Sequence, residues 1–277
     1  MFRLCCMCSA LPRERPNPRR PTCYRGRAHL HPLRALHTGM PCSCTVPSQR
    51  RKCPCLWGAC MISLVILGDS LASLSSANHV KDLKPEMEIQ IITERAEIGL
   101  VEETPGLLPS WPPCPAHWIS EMGSQTPKPT SEAVRGSWLL KAMGTQLAKR
   151  GCIFHLRTRT VAVSSEKIDF VGAGPIGEGS LTFDYLLDFS GDNSSQALWY
   201  GAVCRSEDSP ESSRQGSRSD GTTEIWSSRE LEQNGKWIQT MLWRGEDPSS
   251  YIHDQVEMGK ERAENVIESI MQSTSRE

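Results

Sequence analysis

Two glycine-bearing stretches have spacings that could serve nucleotide chemistry. "VGAGPIGEG" (residues 171–179) sets Gly172, Gly174 and Gly177 at G-x-G-x-x-G, the spacing of a turn that cradles a dinucleotide pyrophosphate. Earlier, "LVILGDSLASLSSA" (residues 64–77) keeps Gly68 and puts Ser70 and Ser73 where the second and third glycines would fall. The chemistry rests on backbone N–H groups and a helix N-terminus turned toward the phosphates. The glycines therefore need a strand before them and a helix after them.

Context separates the two stretches. Only "EGSLTF" lies between Gly177 and a strand expected at Asp184, whereas a crossover helix needs about ten residues or more. "GAGPIG" therefore reads as a glycine-rich connection between strands. Gly68 follows "SLVILG", a continuous apolar run expected to be buried on both faces. It opens "SLASLSSANHVKDL", where Leu71, Leu74, Ala77 and Val80 share one helical face. "MEIQIITE" follows as a second buried strand, so the unit is a parallel βαβ. At the tip of that strand, Glu94 is placed to accept hydrogen bonds from a ribose. Ser70 and Ser73 restrict close approach, although a serine hydroxyl can donate to a phosphate. A nucleotide turn and a purely structural βαβ turn both stand as readings.

These residues need a scaffold, and the rest of the chain supplies an α/β pattern. Residues 99–129 are rich in Pro, Gly and Trp and read as a long loop. "VRGSWLLKAMGTQLAKRGC" carries Trp138, Leu139, Ala142, Met143, Leu147 and Ala148 as an amphipathic helix ending at Gly151. "IFHLRTRTVAVSS", "KIDFVG" and "LTFDYLLDFSG" each read as a strand, and "RSEDSPESSRQGSRSDG" (residues 205–221) as a flexible insertion. "TTEIWSS" and "KWIQTMLWRG" read as antiparallel strands. "YIHDQVEMGKERAENVIESIMQ" closes the chain as a helix with Ile252, Val256, Gly259, Ala263, Val266 and Ile270 on one side.

Charge divides the chain sharply. Residues 1–60 contain ten Arg, one Lys and one Glu, a net of +10, so the remaining 217 residues carry −11 to give the overall −1. The same sixty residues hold nine of the twelve cysteines and no apolar periodicity, a composition expected to remain disordered. An organelle transit peptide and spurious upstream translation before Met61 both fit this segment. Its Cys42/Cys44 and Cys53/Cys55 pairs are C-x-C and Cys5/Cys8 is a lone C-x-x-C, so no metal site is expected. Its charge could attract nucleic acid, but no stacking platform accompanies it, so no specific nucleic-acid partner is expected. Beyond Met61 only Cys114, Cys152 and Cys204 remain, which suits a reducing compartment. No window reaches the roughly eighteen apolar residues of a bilayer span. The chain is expected to be soluble, and cytoplasmic, or organellar if residues 1–60 act as a transit peptide.

Other chemistries find little support. No Ser-His-Asp arrangement or paired-carboxylate site shows suggestive spacing, and the catalytic residues are unknown. His79 falls off the first helix's apolar stripe and should be solvated; His155, beside Arg157 and Arg159, reads as a surface histidine. Arg157 and Arg159 should face solvent. His117, with Trp111 and Trp118, lies in a Trp/Pro loop that either packs on the domain or caps a flat ligand.

Four segments, taken in order, resemble the FAD-dependent oxidoreductases of the para-hydroxybenzoate-hydroxylase-like kind, the single-component flavin monooxygenases and their relatives. The first is the Gly68 turn with Ser70 and Ser73. The second is "ITERAEIG", in which Glu94 and Arg95 match the family's strand-end Glu-Arg and Glu94 would bind the adenosine ribose. The third begins at Arg135, in the position of the Arg of an Arg-x-x-Leu helix, with Trp138 in the leucine's place. It runs on to "DYLLDFSGDNS", similar to the family's "DLLVGADGANS". There Ser190 stands where the acidic residue of the Asp-Gly motif belongs, while Gly191, Asn193 and Ser194 match. The fourth is "MLWRGEDPSSYIHDQVEMGKERAENVI", similar to the Gly-Asp turn and final helix on the ribityl side of FAD, with Glu246 inserted between Gly245 and Asp247.

The resemblance implies an α/β Rossmann-like FAD/NAD(P)-binding domain over residues 61–194 and a reduced antiparallel substrate region over 195–243. Residues 244–277 would return to the FAD domain. It implies FAD as cofactor, NAD(P)H as electron donor and oxidation of a small molecule. Gly68, Ser70, Ser73, Glu94, Arg95, Arg135, Gly191, Gly245 and Asp247 are the expected cofactor contacts. The shortened substrate region and the replaced residues keep a second expectation open, a non-catalytic nucleotide-binding or structural relative.

Overall fold

The computed structural model describes residues 61–274 except 101–103, 110–112, 173–176, 192–196 and 233–234. Residues 1–60, with their cysteine pairs, together with Trp111, Gly174, Asn193 and Ser194, lie outside the described residues.

The apolar run "SLVIL" forms β1 (Ser63–Leu67) and "EIQII" forms β2 (Glu88–Ile92), parallel in the register Ser63↔Glu88 to Leu67↔Ile92. Between them runs α1 (Leu71–Leu83), whose Leu71, Leu74, Ala77 and Val80 are all buried, as their spacing predicts. β3 (Ile153–His155) adds in parallel outside β2 and β7 (Tyr185–Asp188) outside β1, giving the order β3-β2-β1-β7. Both faces of this sheet are covered, which is why its strands are apolar without alternation. Leu64 and Ile66 enter a core with α1, α3 (Gly136–Lys149) and α4 (Tyr251–Thr274), whereas Val65 and Leu67 pack on Ile168 and Phe183.

The helical layer depends on a close crossing. A Cβ on Gly259 of α4 would collide with the Ala72 carbonyl and lie 2.8 Å from the Ser75 Cβ, so only glycine admits this α1–α4 contact. Ile252, Ala263, Val266 and Ile270 of α4 are buried as expected, joined by Ile267, while Val256 is half-buried. α3 ends with Gly151 at φ +82°, a left-handed stop.

Two antiparallel sheets complete the fold. β4 (Thr158–Val163), β5 (Lys167–Gly172) and β6 (Glu178–Thr182) form one. β8 (Ala197–Arg205), β9 (Gln215–Ser217), β10 (Thr222–Ser227) and β11 (Gln239–Gly245) form the other, in the order β11-β8-β10-β9. The glycine-rich stretch is the β5–β6 connection, as its context predicts: Val171 pairs with Glu178, and Gly172 N donates to the Gly177 carbonyl at 2.6 Å.

Several expectations need correction. "IFHLRTRTVAV" is two strands, because Arg157 adopts φ +50° and sends β3 and β4 into different sheets. "LTFDYLLDFSG" likewise divides between β6 and β7. The expected loop over 99–129 contains a short helix, α2 (Ala116–Ser120). β10 and β11 do not pair with each other. Both flank β8, the strand between them. Within residues 205–221, β9 pairs with β10, and Arg218 is buried against Glu224 at 2.5 Å. No described helix is long and apolar enough to cross a membrane.

Candidate functional site

The parallel strands bring their C-terminal ends to one edge, since Leu67 lies in register with Ile92 on one side and Asp188 on the other. The Gly68 turn, Glu94 and the Ser190–Gly191 turn follow directly from those ends. Gly68 takes φ +94°, and its N–H donates to the Ile92 carbonyl at 2.9 Å. A Cβ there would lie 3.1 Å from the Phe189 carbonyl oxygen, so glycine is required both by conformation and by space.

Both serines make hydrogen bonds at the start of α1. Ser70 is the N-cap of α1, its hydroxyl accepting from Ser73 N at 3.3 Å, while the Ser73 hydroxyl donates to the Ser70 carbonyl at 2.7 Å. Ser73 is fully buried. Among the described residues, nothing accepts from the N–H groups of Leu71 and Ala72, which leaves those two donors at the positive end of the helix.

Asp69 is the unexpected member of the turn. It is 5 % exposed; its Oδ1 accepts from the Thr93 hydroxyl at 3.0 Å and lies 3.6 Å from Arg95 Nε. Its Oδ2 is buried without a hydrogen-bond partner. The carboxylate thus ties the turn to the end of β2 and draws Arg95 back over it, and it brings negative charge close to the helix N-terminus. Glu94, by contrast, is exposed at the strand end.

In the turn after β7, Ser190 donates to Asp188 Oδ1 through both its N–H (2.8 Å) and its hydroxyl (2.6 Å). Asp188 therefore occupies both the N–H and the hydroxyl of Ser190. Among the described residues, nothing lies within 4 Å of a Cβ added to Gly191. Arg262 of α4 clamps this turn, donating to the Asp188 carbonyl at 2.8 Å and lying 4.7 Å from the Phe189 ring centroid.

Gly245 ends β11, where a Cβ would collide with the Trp243 indole; its carbonyl accepts from Trp199 Nε1 at 3.2 Å. The Asp247 carboxylate accepts from Arg214 and from Ser249 N. Chiefly through the Arg214 hydrogen bonds, its pKa is held down at about 2. No pattern in the sequence marks Arg214.

Arg135 caps α3, exposed, with its carbonyl accepting from Trp138 N and Leu139 N at 3.0 Å each. Beside it lies a cavity of about 290 Å³ lined by Ile119, Gln125, Val134, Arg135, Trp138 and Arg218.

The histidines need revision. His79 is not solvated but half-buried, 3.4 Å from Glu264 of α4. His155 lies 2.8 Å from Gln90 Oε1 and packs against Phe170, and burial pushes its imidazole below the usual pKa. His117 is exposed at the edge of Trp118. Arg157 and Arg159 are exposed, as expected.

The structure therefore gathers Gly68, Ser70, Ser73, Glu94, Arg95 and Gly191 at one sheet edge. Arg135 stands at the start of α3, and Gly245 and Asp247 at the junction of β11 and α4.

No family profile matches the chain, and no curated protein matches it. Among solved structures it is similar to a flavoprotein/dehydrogenase from Cytophaga hutchinsonii at 11 % identity and a TM-score of 0.51, covering 76 % of this chain and 79 % of that one. It is also similar to CabE, an aromatic hydroxylase from angucycline biosynthesis, at 11 % identity and TM-score 0.46, over 73 % of this chain and 62 % of that one. A third is CmlS, a flavin-dependent halogenase, at 10 % identity and TM-score 0.44, over 78 % of this chain and 46 % of that one. The chain thus spans under two thirds of CabE and about half of CmlS. At these identities the likeness is one of fold, carried by the Cytophaga comparison: the chain has a Rossmann-like α/β fold similar to that of the Cytophaga flavoprotein/dehydrogenase.

Proposed function

We propose that this chain is an FAD-dependent, monooxygenase-like oxidoreductase acting on a small molecule, with NAD(P)H as the electron donor. One observation carries the reading. The left-handed Gly68, the free N–H groups of Leu71 and Ala72, and the exposed Glu94 meet at the C-terminal edge of a parallel sheet. That donor set fits the adenosine half of FAD: a helix N-terminus for the pyrophosphate and a carboxylate for the ribose hydroxyls. Arg135 would add positive charge, and the cavity beside it would take the substrate. When bound, flavin would supply the redox chemistry, accepting hydride and acting, once reduced, on oxygen or substrate. The protein's own residues would position it and exclude water.

On this reading residues 61–194 bind FAD with help from 244–277, and 195–243 form the reduced substrate region. Residues 1–60 lie outside this architecture, and the compartment is the cytoplasm, or an organelle if they act as a transit peptide.

A second reading, a non-catalytic nucleotide-binding or structural relative, is favoured by two specific observations. Asp69 places a buried carboxylate at the turn, and Asp247 is already occupied by Arg214. The visible spectrum of the purified full-length chain separates the readings. Bands at about 375 and 450 nm, where oxidised flavin absorbs, support the first. A folded, colourless protein that ignores added FAD removes it.

A further inference from the structure

Arg214 stands where the flavin side of the proposed site needs an open carboxylate. Its Nε donates to Asp247 Oδ1 and Oδ2 at 3.0 Å each, and its Nη2 donates to Oδ2 at 2.7 Å. Ser249 N adds a further bond to Oδ1 at 2.9 Å. The carboxylate is therefore met on both oxygens by the protein itself. The guanidinium also lies 4.8 Å from the Trp199 ring centroid, and Trp199 in turn donates to the Gly245 carbonyl. The whole Gly-Asp turn is thus held against a residue from the polar tract that enters β9.

Two features make this contact reversible. The Arg214 backbone is anchored separately, its carbonyl accepting from Trp226 N at 2.8 Å, so the side chain can rotate away without unpairing the sheet. The two side chains are 34 % and 41 % exposed, so water can replace each partner when they part. A buried pair would resist such an exchange, as Arg218 and Glu224 would at 7 % and 0 % exposure.

We propose that Arg214 is a latch on the flavin side of the site, occupying Asp247 until FAD binds and displaces it. This rests on the flavin reading above. A ribityl hydroxyl can use Asp247 only after a bidentate, charge-assisted contact has opened. The observed affinity for FAD is then reduced by the fraction of molecules in which the latch is open.

The test is FAD affinity of the full-length chain, read by quenching of flavin fluorescence. Arg214→Gln is expected to bind FAD about threefold more tightly than the unaltered chain at low salt, since the closed state of a half-exposed pair is lost. Arg214→Lys, which keeps the charge but not the fork, should fall between the two. Asp247→Ala should show no gain, because it frees Arg214 but removes the hydroxyl's acceptor. The ratio between Arg214→Gln and the unaltered chain should shrink toward one as salt rises from about 0.02 to 0.5 M, because screening opens the half-exposed pair. Loss of the positive charge by itself would weaken binding of the anionic FAD, most of all at low salt, so it gives the opposite trend to release of the latch. If Arg214→Gln fails to fold, the Lys variant and its salt series decide the matter. Affinity unchanged or weakened in both Arg214 variants, while the unaltered chain binds FAD, overturns the latch and leaves the flavin reading intact. Absence of FAD binding by every protein overturns both.

Discussion

At Gly68 a parallel strand ends between two others and a thirteen-residue helix begins; at Gly177 an antiparallel strand turns back beside its neighbour. Both glycines are left-handed, at φ +94° and +61°. Their surroundings differ. Around Gly68 the Phe189 carbonyl, the Ile92 carbonyl and the start of α1 converge, whereas among the described residues nothing lies within 4 Å of a Cβ built on Gly177. The intact G-x-G-x-x-G spacing belongs to a connection between antiparallel strands, and the damaged one to the crowded turn that opens a helix. Glycine spacing alone records where the backbone must bend; the elements on either side decide whether the bend faces a helix N-terminus.

Substitution should pull the two turns apart, most strongly at Gly68. Gly68→Ala combines left-handed strain with a 3.1 Å approach to the Phe189 carbonyl oxygen. A loss of about 2–3 kcal/mol in urea unfolding is expected, with weaker FAD binding. A loss no greater than that of Gly177→Ala would erase the contrast.

Glu94→Ala sharpens it at the level of function. Glu94 is exposed, so its removal should leave the melting temperature within about a degree, as for most surface substitutions. It should also raise the Kd for FAD about tenfold, or 1.4 kcal/mol. An unchanged Kd in an isothermal titration would take Glu94 out of the ribose role.

Gly177→Ala should cost only about 1 kcal/mol, the strain of a left-handed alanine with no described neighbour against its Cβ, and leave FAD binding alone. Any effect on flavin affinity would return "GAGPIG" to the nucleotide site.

The smallest effect concerns the Gly-Asp turn. Asp247 is lowered from 3.8 to about 2 in the folded chain, chiefly by Arg214, so its contribution to stability is present above pH 3.8 and lost as pH falls toward 2. Because the pair is about 40 % exposed, solvent screens most of it. Asp247→Asn should lower the melting temperature slightly at pH 6 and converge on the unaltered chain as the pH falls through about 2. A difference that does not shrink on that approach would assign the loss to something other than the carboxylate's charge.

Much of the helical layer was legible beforehand. β1, α1, β2, α3 and α4 carry their own signals, continuous apolar runs for doubly covered strands and a 3.6-residue stripe for helices, and these signals need no knowledge of the partner. β8 was not legible. Gly201 sits in its middle and reads as a break, yet a Cβ there would lie 2.7 Å from the Trp226 indole, so the glycine makes room for a large neighbour from the adjacent strand. The division of "IFHLRTRTVAV" was hidden in the same way, because Arg157 gives no sequence sign of its left-handed backbone.

The site divides along the same line. From the sequence alone came the βαβ unit, the choice of Gly68 over Gly177, and Glu94 at the tip of β2, all of which depend on neighbours within one crossover. Only the folded chain determined that Asp69 is buried against Thr93 and Arg95, that the Ser70 hydroxyl caps α1 at Ser73 N, and that Arg214 reaches Asp247 from 33 residues away. Those contacts join side chains from separate elements, and a polar side chain's partner depends on which oxygens and nitrogens the packing brings within about 3 Å. No periodicity along the chain carries that information.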